Sequence, residues 1–162
     1  MASVPDAKRI TADQYTIGII YVKQLELQAV RVMLDQIHAR VALRPRDTSE
    51  YLLGHLGQHN VVVAGPPQGS QGKVAIADIS NRIRMTFPNV GCGLLVGIGG
   101  GFPSTGNDVR LGDVVVGAPE NGEAVVQYDL GKYTTQGFVK SSRYLDKPPK
   151  NLLAIVNHLA TE

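Results

Sequence analysis

The stretch "VGIGGGFPSTGNDVRLGDVVVG", residues 96–117, decides the reading of this chain. An apolar run enters three consecutive glycines, Gly99, Gly100 and Gly101. Pro103 and a polar loop follow, and after Arg110 comes Gly112-Asp113 with a second apolar run. A glycine after a strand is explained by a tight turn alone, because the missing Cβ frees the backbone. Three in a row favour a different explanation, a ligand lying so close to the backbone that no side chain fits.

Working outward, the segments around this turn alternate in period. "YTIGIIYV" (15–22) is β-branched and aromatic and predicts a buried first strand. In "KQLELQAVRVMLDQIHARVAL" (23–43), Leu27, Val30, Leu34 and Ile37 recur at three- and four-residue steps, which predicts an amphipathic helix. Residues 44–50 form a loop. "YLLGHLGQHNVVVAG" (51–65) reads as two strands about "GQHN", and "PPQGSQG" (66–72) as a Pro/Gly loop. Residues 73–87 predict a second helix with Ile76, Ile79, Ile83 and Phe87 on one face. "GCGLLVGI" (91–98), "LGDVVVGA" (111–118) and "EAVVQYDLGK" (123–132) read as strands, and "PPKNLLAIVNHLA" (148–160) opens a last helix behind its prolines. Strands alternating with helices imply an α/β layered sheet, largely parallel. Such sheets bind ligands beyond the carboxyl ends of their strands, where the three glycines lie. Residues 1–14 read as a flexible polar tail before one domain, 15–162.

Composition bounds the function. The chain has 162 residues, a one-domain length, with 43% hydrophobic and 19% charged residues. A net charge of +2 without a basic run argues against nucleic acid or an anionic membrane surface as partner. The one cysteine, Cys92, allows no internal disulfide and reads as a small core residue. The N-terminus lacks a signal-peptide core and the apolar runs are too short to span a bilayer, so a cytoplasmic location is expected. His38, His55, His59 and His158 are scattered singly in sequence, so no metal site is expected. Ser70 and Ser104 have no neighbouring His/Asp signature of a nucleophile.

Two phosphate-loop patterns fail. A dinucleotide fingerprint through Gly97 and Gly99 needs a third glycine where Phe102 stands, just before Pro103. A P-loop through Gly72-Lys73 needs glycine at Pro67 and Ser or Thr at Val74.

Four blocks in order carry a family resemblance: "TIGIIYVKQLELQAV", "YLLGHLGQHNVVVAGPPQGSQGKVA", "LLVGIGGG" and "VRLGDVVVG". Over residues 15–131 the chain resembles the N-terminal half of the purine nucleoside phosphorylase and methylthioadenosine/S-adenosylhomocysteine nucleosidase superfamily. It is most similar to the divergent version at the head of fungal signalling proteins of the NACHT and NB-ARC type. The resemblance implies a three-layer α/β domain with a mostly parallel or mixed central sheet, of which this chain carries the N-terminal half. It implies nucleoside binding at Gln71, Gly72, Gly97, Ile98, Gly99, Gly100 and Gly101. Glu26 falls where the nucleosidases place the glutamate that polarises the attacking water, a task suited to a carboxylate at a cleft mouth. Without the resemblance, Glu26 reads as a solvated glutamate near a helix N-terminus.

The departures from the family sharpen the expectation. Leu95 stands where some phosphorylases carry a phosphate-gripping arginine, so water is the expected acceptor rather than phosphate. Ile98 replaces the serine of the nucleosidase turn, and Arg110 reads as a solvated strand-edge residue. The Met-Glu pair that holds the ribose and the aspartate that protonates the leaving purine have no counterpart here; Asp129 lies too early. The expected function is binding of a purine nucleoside and, in the intact domain, cleavage of its N-glycosidic bond, with no cofactor. The alternative is a non-catalytic nucleoside-sensing or interaction module of a fungal signalling protein. Dimers or larger rings are usual for the family, so a homo-oligomer is compatible with it. As a C-terminally truncated domain, the chain is expected to be marginally stable and to associate.

Overall fold

The computed structural model describes residues 10–45, 47–70, 72–103, 108–118, 125–126, 131–140, 144–145 and 147–159. The chain divides into two compact units, the first ending at Gly100 and the second beginning at Gly101.

The first unit is built on a five-stranded mixed sheet. Its strands are β1 (Ile17–Ile20), β2 (Gln36–Ile37), β3 (Leu52–Leu56), β4 (His59–Ala64) and β5 (Cys92–Leu95), in the spatial order β2-β3-β4-β1-β5. β1 is paired in parallel with β4 on one side and β5 on the other. β4 pairs antiparallel with β3, and β3 with β2. Strands flanked on both edges and covered on both faces need apolar side chains throughout, which accounts for the unbroken runs in β1 and β4. Val61, Val62, Val63 and Ala64 are at most 1% exposed.

Two helices cover opposite faces of this sheet. α1 (Gln24–Met33) packs Val30 and Leu27 on Ile19, Val61 and Val63. α2 (Lys73–Thr86) packs Ile79 and Ile83 on Ile20, Val62 and Ala64, together with Tyr15 and Phe87. The alternation of side chains along a strand sends neighbouring residues to opposite faces, so one apolar run supplies two cores. The result in this unit is three layers, helix on sheet on helix. Ile10 and Ala12 pack against the α2-side core, and a short 3₁₀ turn over Ala12–Gln14 leads into the fully buried Tyr15.

The first helix is shorter than its periodicity predicts. It stops at Met33, and Leu34 adopts extended backbone. Residues 35–38 then lie along β3: the Asp35 and His38 N–H groups donate to the carbonyls of His55 and Leu53, at 3.0 and 2.8 Å. The Asp35 carboxylate accepts from the Gly57 N–H at 2.7 Å, tying this segment to the β3–β4 turn. Gly57 takes φ 60°, the left-handed conformation such a two-residue turn needs. The steps from Leu27 through Val30 to Leu34 are a true core face, but Ile37 belongs to a strand and is 45% exposed.

The second unit contains β6 (Val125–Val126), β7 (Gly131–Thr134), β8 (Gly137–Lys140), β9 (Tyr144–Leu145) and α3 (Lys150–Leu159). β6 pairs with β9, and β7 with β8 in a hairpin whose Gly137 has φ 116°. α3 starts directly after Pro149, as its sequence predicts. Among the residues of this unit whose burial is described, none is buried. Residues 111–118 form no strand, contrary to the expectation from "LGDVVVGA". A β-branched run becomes a strand only where a neighbour completes its ladder. Val114, Val115 and Val116 are instead exposed behind a turn in which the Asp113 carboxylate accepts from the Arg110 N–H at 2.8 Å.

Candidate functional site

The start of α1 and the end of β5 meet at Glu26. Lys23 is the N-cap of α1, and Glu26 is the third helical residue. A glutamate there can fold back onto the uncapped N–H groups that every helix start leaves open. Its Oε2 accepts from the N–H groups of Val22 and Lys23, both at 2.8 Å. Its Oε1 reaches across to the turn after β5 and accepts from the Ile98 N–H at 2.9 Å. Glu26 is thus not a solvated helix residue; it is 6% exposed.

Burial by itself would raise the Glu26 pKa. The N–H donors of Lys23, Ile98 and Val22 and the nearby Lys23 ammonium outweigh it, and the carboxyl is held below its ordinary value. A carboxylate has about four acceptor positions, and three are engaged here. One remains on Oε1 for a further donor.

The glycines of the turn divide into two kinds. A Cβ at Gly97 would sit 3.3 Å from Glu26 Oε1, so this glycine admits the carboxylate. Neither crowding nor a left-handed backbone accounts for Gly99 and Gly100. Among the described residues, a Cβ at either would meet nothing within 4 Å, and neither has positive φ. In the second unit, a Cβ at Gly101 would meet Val109 Cγ1 at 3.0 Å. Gly72 has φ 90° and serves as the N-cap of α2, which already demands glycine. Gln71 lies outside the described residues, as do Ser104 and Asp129. Of the sequence-predicted site, the structure therefore brings Glu26, Gly97 and Ile98 into one contact. Leu95 and Ile98 are 64% and 62% exposed. Cys92 is only partly buried, and Arg110 is an exposed partner of Asp108.

Two polar clusters were not legible in the sequence. His38 and His55 meet: the buried Tyr15 hydroxyl lies 3.0 Å from His38 Nδ1, and His38 Nε2 lies 3.3 Å from His55 Nδ1. The two histidines are 17 residues apart, and the pairing of β2 with β3 joins them. Burial and then the neighbouring His55 push the His38 imidazole below its usual pKa. The second cluster centres on Asp47, which accepts from Thr86 Oγ1 at 2.5 Å, the Tyr51 hydroxyl at 2.9 Å and the Ser49 N–H at 3.0 Å. It staples the loop before β3 to the end of α2. Among the described residues, no group of three His, Cys, Asp or Glu side chains could hold a metal ion. Among them, too, no helix is long and apolar enough to cross a membrane.

Comparison with known proteins gives a specific similarity. No protein-family model matches the chain, and no solved structure matches it. Over 152 residues, 93% of its length, the chain is 40% identical to a protein of the fungus Hyaloscypha variabilis described as a nucleotide-binding leucine-rich repeat (NLR)-like protein. The matched segment is 15% of that protein, so the chain is similar to a small part of a much longer fungal NLR-like protein.

Proposed function

We propose that residues 15–162 belong to a nucleoside phosphorylase-like domain of a fungal NLR-type signalling protein and bind a purine nucleoside at the turn after β5. The observation that carries this reading is the Glu26 carboxylate. It joins the start of α1 to the Ile98 N–H beside two glycines that internal packing does not require. A side chain at Gly99 or Gly100 would fill space that a ribose could occupy. The remaining acceptor position on Glu26 suits a water or a ribose hydroxyl. With its lowered pKa the carboxylate stays ionised near neutrality and orients a water rather than removing its proton outright. With Leu95 in place of a phosphate-binding arginine, hydrolysis of the N-glycosidic bond is the reaction proposed for the complete domain.

A second reading, a nucleoside-sensing input module without turnover, is supported by the same low basicity of Glu26 and by the NLR-like relative. The test uses the full-length protein that contains this segment, incubated with adenosine or 5′-methylthioadenosine, with and without phosphate. Binding is read by calorimetry and products by chromatography. The hydrolytic reading expects free adenine and a free sugar at a rate independent of phosphate. A sugar 1-phosphate would overturn it, binding without adenine release would select the sensor, and no binding would refute both.

A further inference from the structure

We infer that the first unit carries a second ligand site, in the cleft between α1 and the segment that follows β2, and that it takes a small organic anion with a planar apolar body. The cleft has a volume of about 330 Å³, within the range of small-molecule pockets. None of its lining residues belongs to the Glu26–Gly97–Ile98 contact. Its apolar part is formed by Leu27, Ile37, Leu52, Leu53 and Val63.

Two aromatic rings in the wall are fixed in advance. Tyr21 lies over Gly65, where a Cβ would come within 2.5 Å of the ring. The Tyr51 ring stands edge-on to Phe87 at 5.0 Å, and its hydroxyl is held by Asp47. The polar groups of the wall are less firmly held. Among the described residues, neither the Arg31 guanidinium nor the Tyr21 hydroxyl makes a hydrogen bond within the protein. Arg40 pairs at 2.7 Å with Glu50, but both side chains are over three-quarters exposed. Such a pair is weak and exchangeable. The planar guanidinium fork matches pairs of oxygens on carboxylates and phosphates, and the rings and leucines favour an apolar body beside the charge. Glu50 is the group that an incoming anion would displace from Arg40.

The test uses phenyl phosphate as probe, with inorganic phosphate and phenol as its two halves, and the full chain. Binding is read by calorimetry and located by backbone amide shifts. Phenyl phosphate is expected to bind more tightly than either half and to shift amides around Arg31, Arg40 and Tyr51. Arg31→Ala and Arg40→Ala should each weaken it about tenfold, as loss of a charge-assisted hydrogen bond does. Glu50→Ala should tighten it by freeing Arg40. Tyr21→Phe, which keeps the ring, should weaken it less than either arginine change. The proposal is overturned if the arginine variants bind as the unaltered chain does, if Glu50→Ala weakens binding, or if inorganic phosphate alone binds as tightly.

Discussion

At the scale of single residues, Glu26 does two jobs with one carboxylate. It caps α1 and holds the turn after β5, so its removal leaves three N–H groups short of an acceptor. Glu26→Ala should destabilise the first unit by about 3 kcal/mol, since each buried group left unpaired costs about 1–3 kcal/mol and water will satisfy some of them. The pH dependence has a definite sign. Because the folded pKa is depressed, this contribution is complete above the ordinary value of 4.5 and is lost as pH falls through the folded value. Asp47, also depressed, works in the same direction. Glu26→Gln keeps the shape but does not titrate. Thermal unfolding followed below pH 5 should therefore show a shallower loss of stability in the variant than in the unaltered chain; parallel curves would exclude Glu26 as a contributor.

At the scale of elements, glycines separate packing from ligand approach. β2 reaches β3 by crossing Gly54, where a Cβ would meet the Gln36 carbonyl at 2.5 Å and Leu34 Cδ1 at 2.9 Å. Gly54→Ala should push β2 off the sheet edge and cost about 1–3 kcal/mol, in the range of overpacked positions. Gly99→Ala meets nothing among the described residues and needs no unusual backbone, so its stability should change by less than about 0.5 kcal/mol. The pair is checked by denaturant unfolding of both variants. If Gly99→Ala unfolds as easily as Gly54→Ala, the turn is shaped by packing and its glycines need no nucleoside to explain them. Among the described residues, β5 is itself an edge strand, and its Leu94 and Leu95 are exposed. It carries no charge or proline of the kind that guards natural edges.

At the scale of the whole molecule, burial is unevenly shared. Among the described residues, all buried apolar side chains, from Tyr15 to Phe87, lie in the first unit, while α3 buries none. Opening free energy follows burial and local packing. Hydrogen exchange should therefore find its slowest amides in β1 and β4, with α3 exchanging orders of magnitude faster. Equal protection of α3 and β4 would contradict this division of the core.

The sequence by itself determined the α/β class, both core helices of the first unit, the β3–β4 hairpin and the position of the glycine turn. These follow from local periodicity and turn chemistry: Ile76, Ile79 and Ile83 repeat at helical steps, and Gly57 sits where a tight turn must be. It also pointed to Glu26 through a family resemblance, but not to its burial. Only the tertiary structure decided that Leu34 ends a helix face and Ile37 starts a strand, because the competing partner, β3, lies some fifteen residues away in the chain. It likewise left the strand expected at 111–118 unformed, since a strand exists only with a neighbour and no local pattern supplies one. The Tyr15–His38–His55 chain and the Asp47 staple belong to the same class: each joins residues brought together by sheet register and helix packing, which no spacing along the sequence encodes.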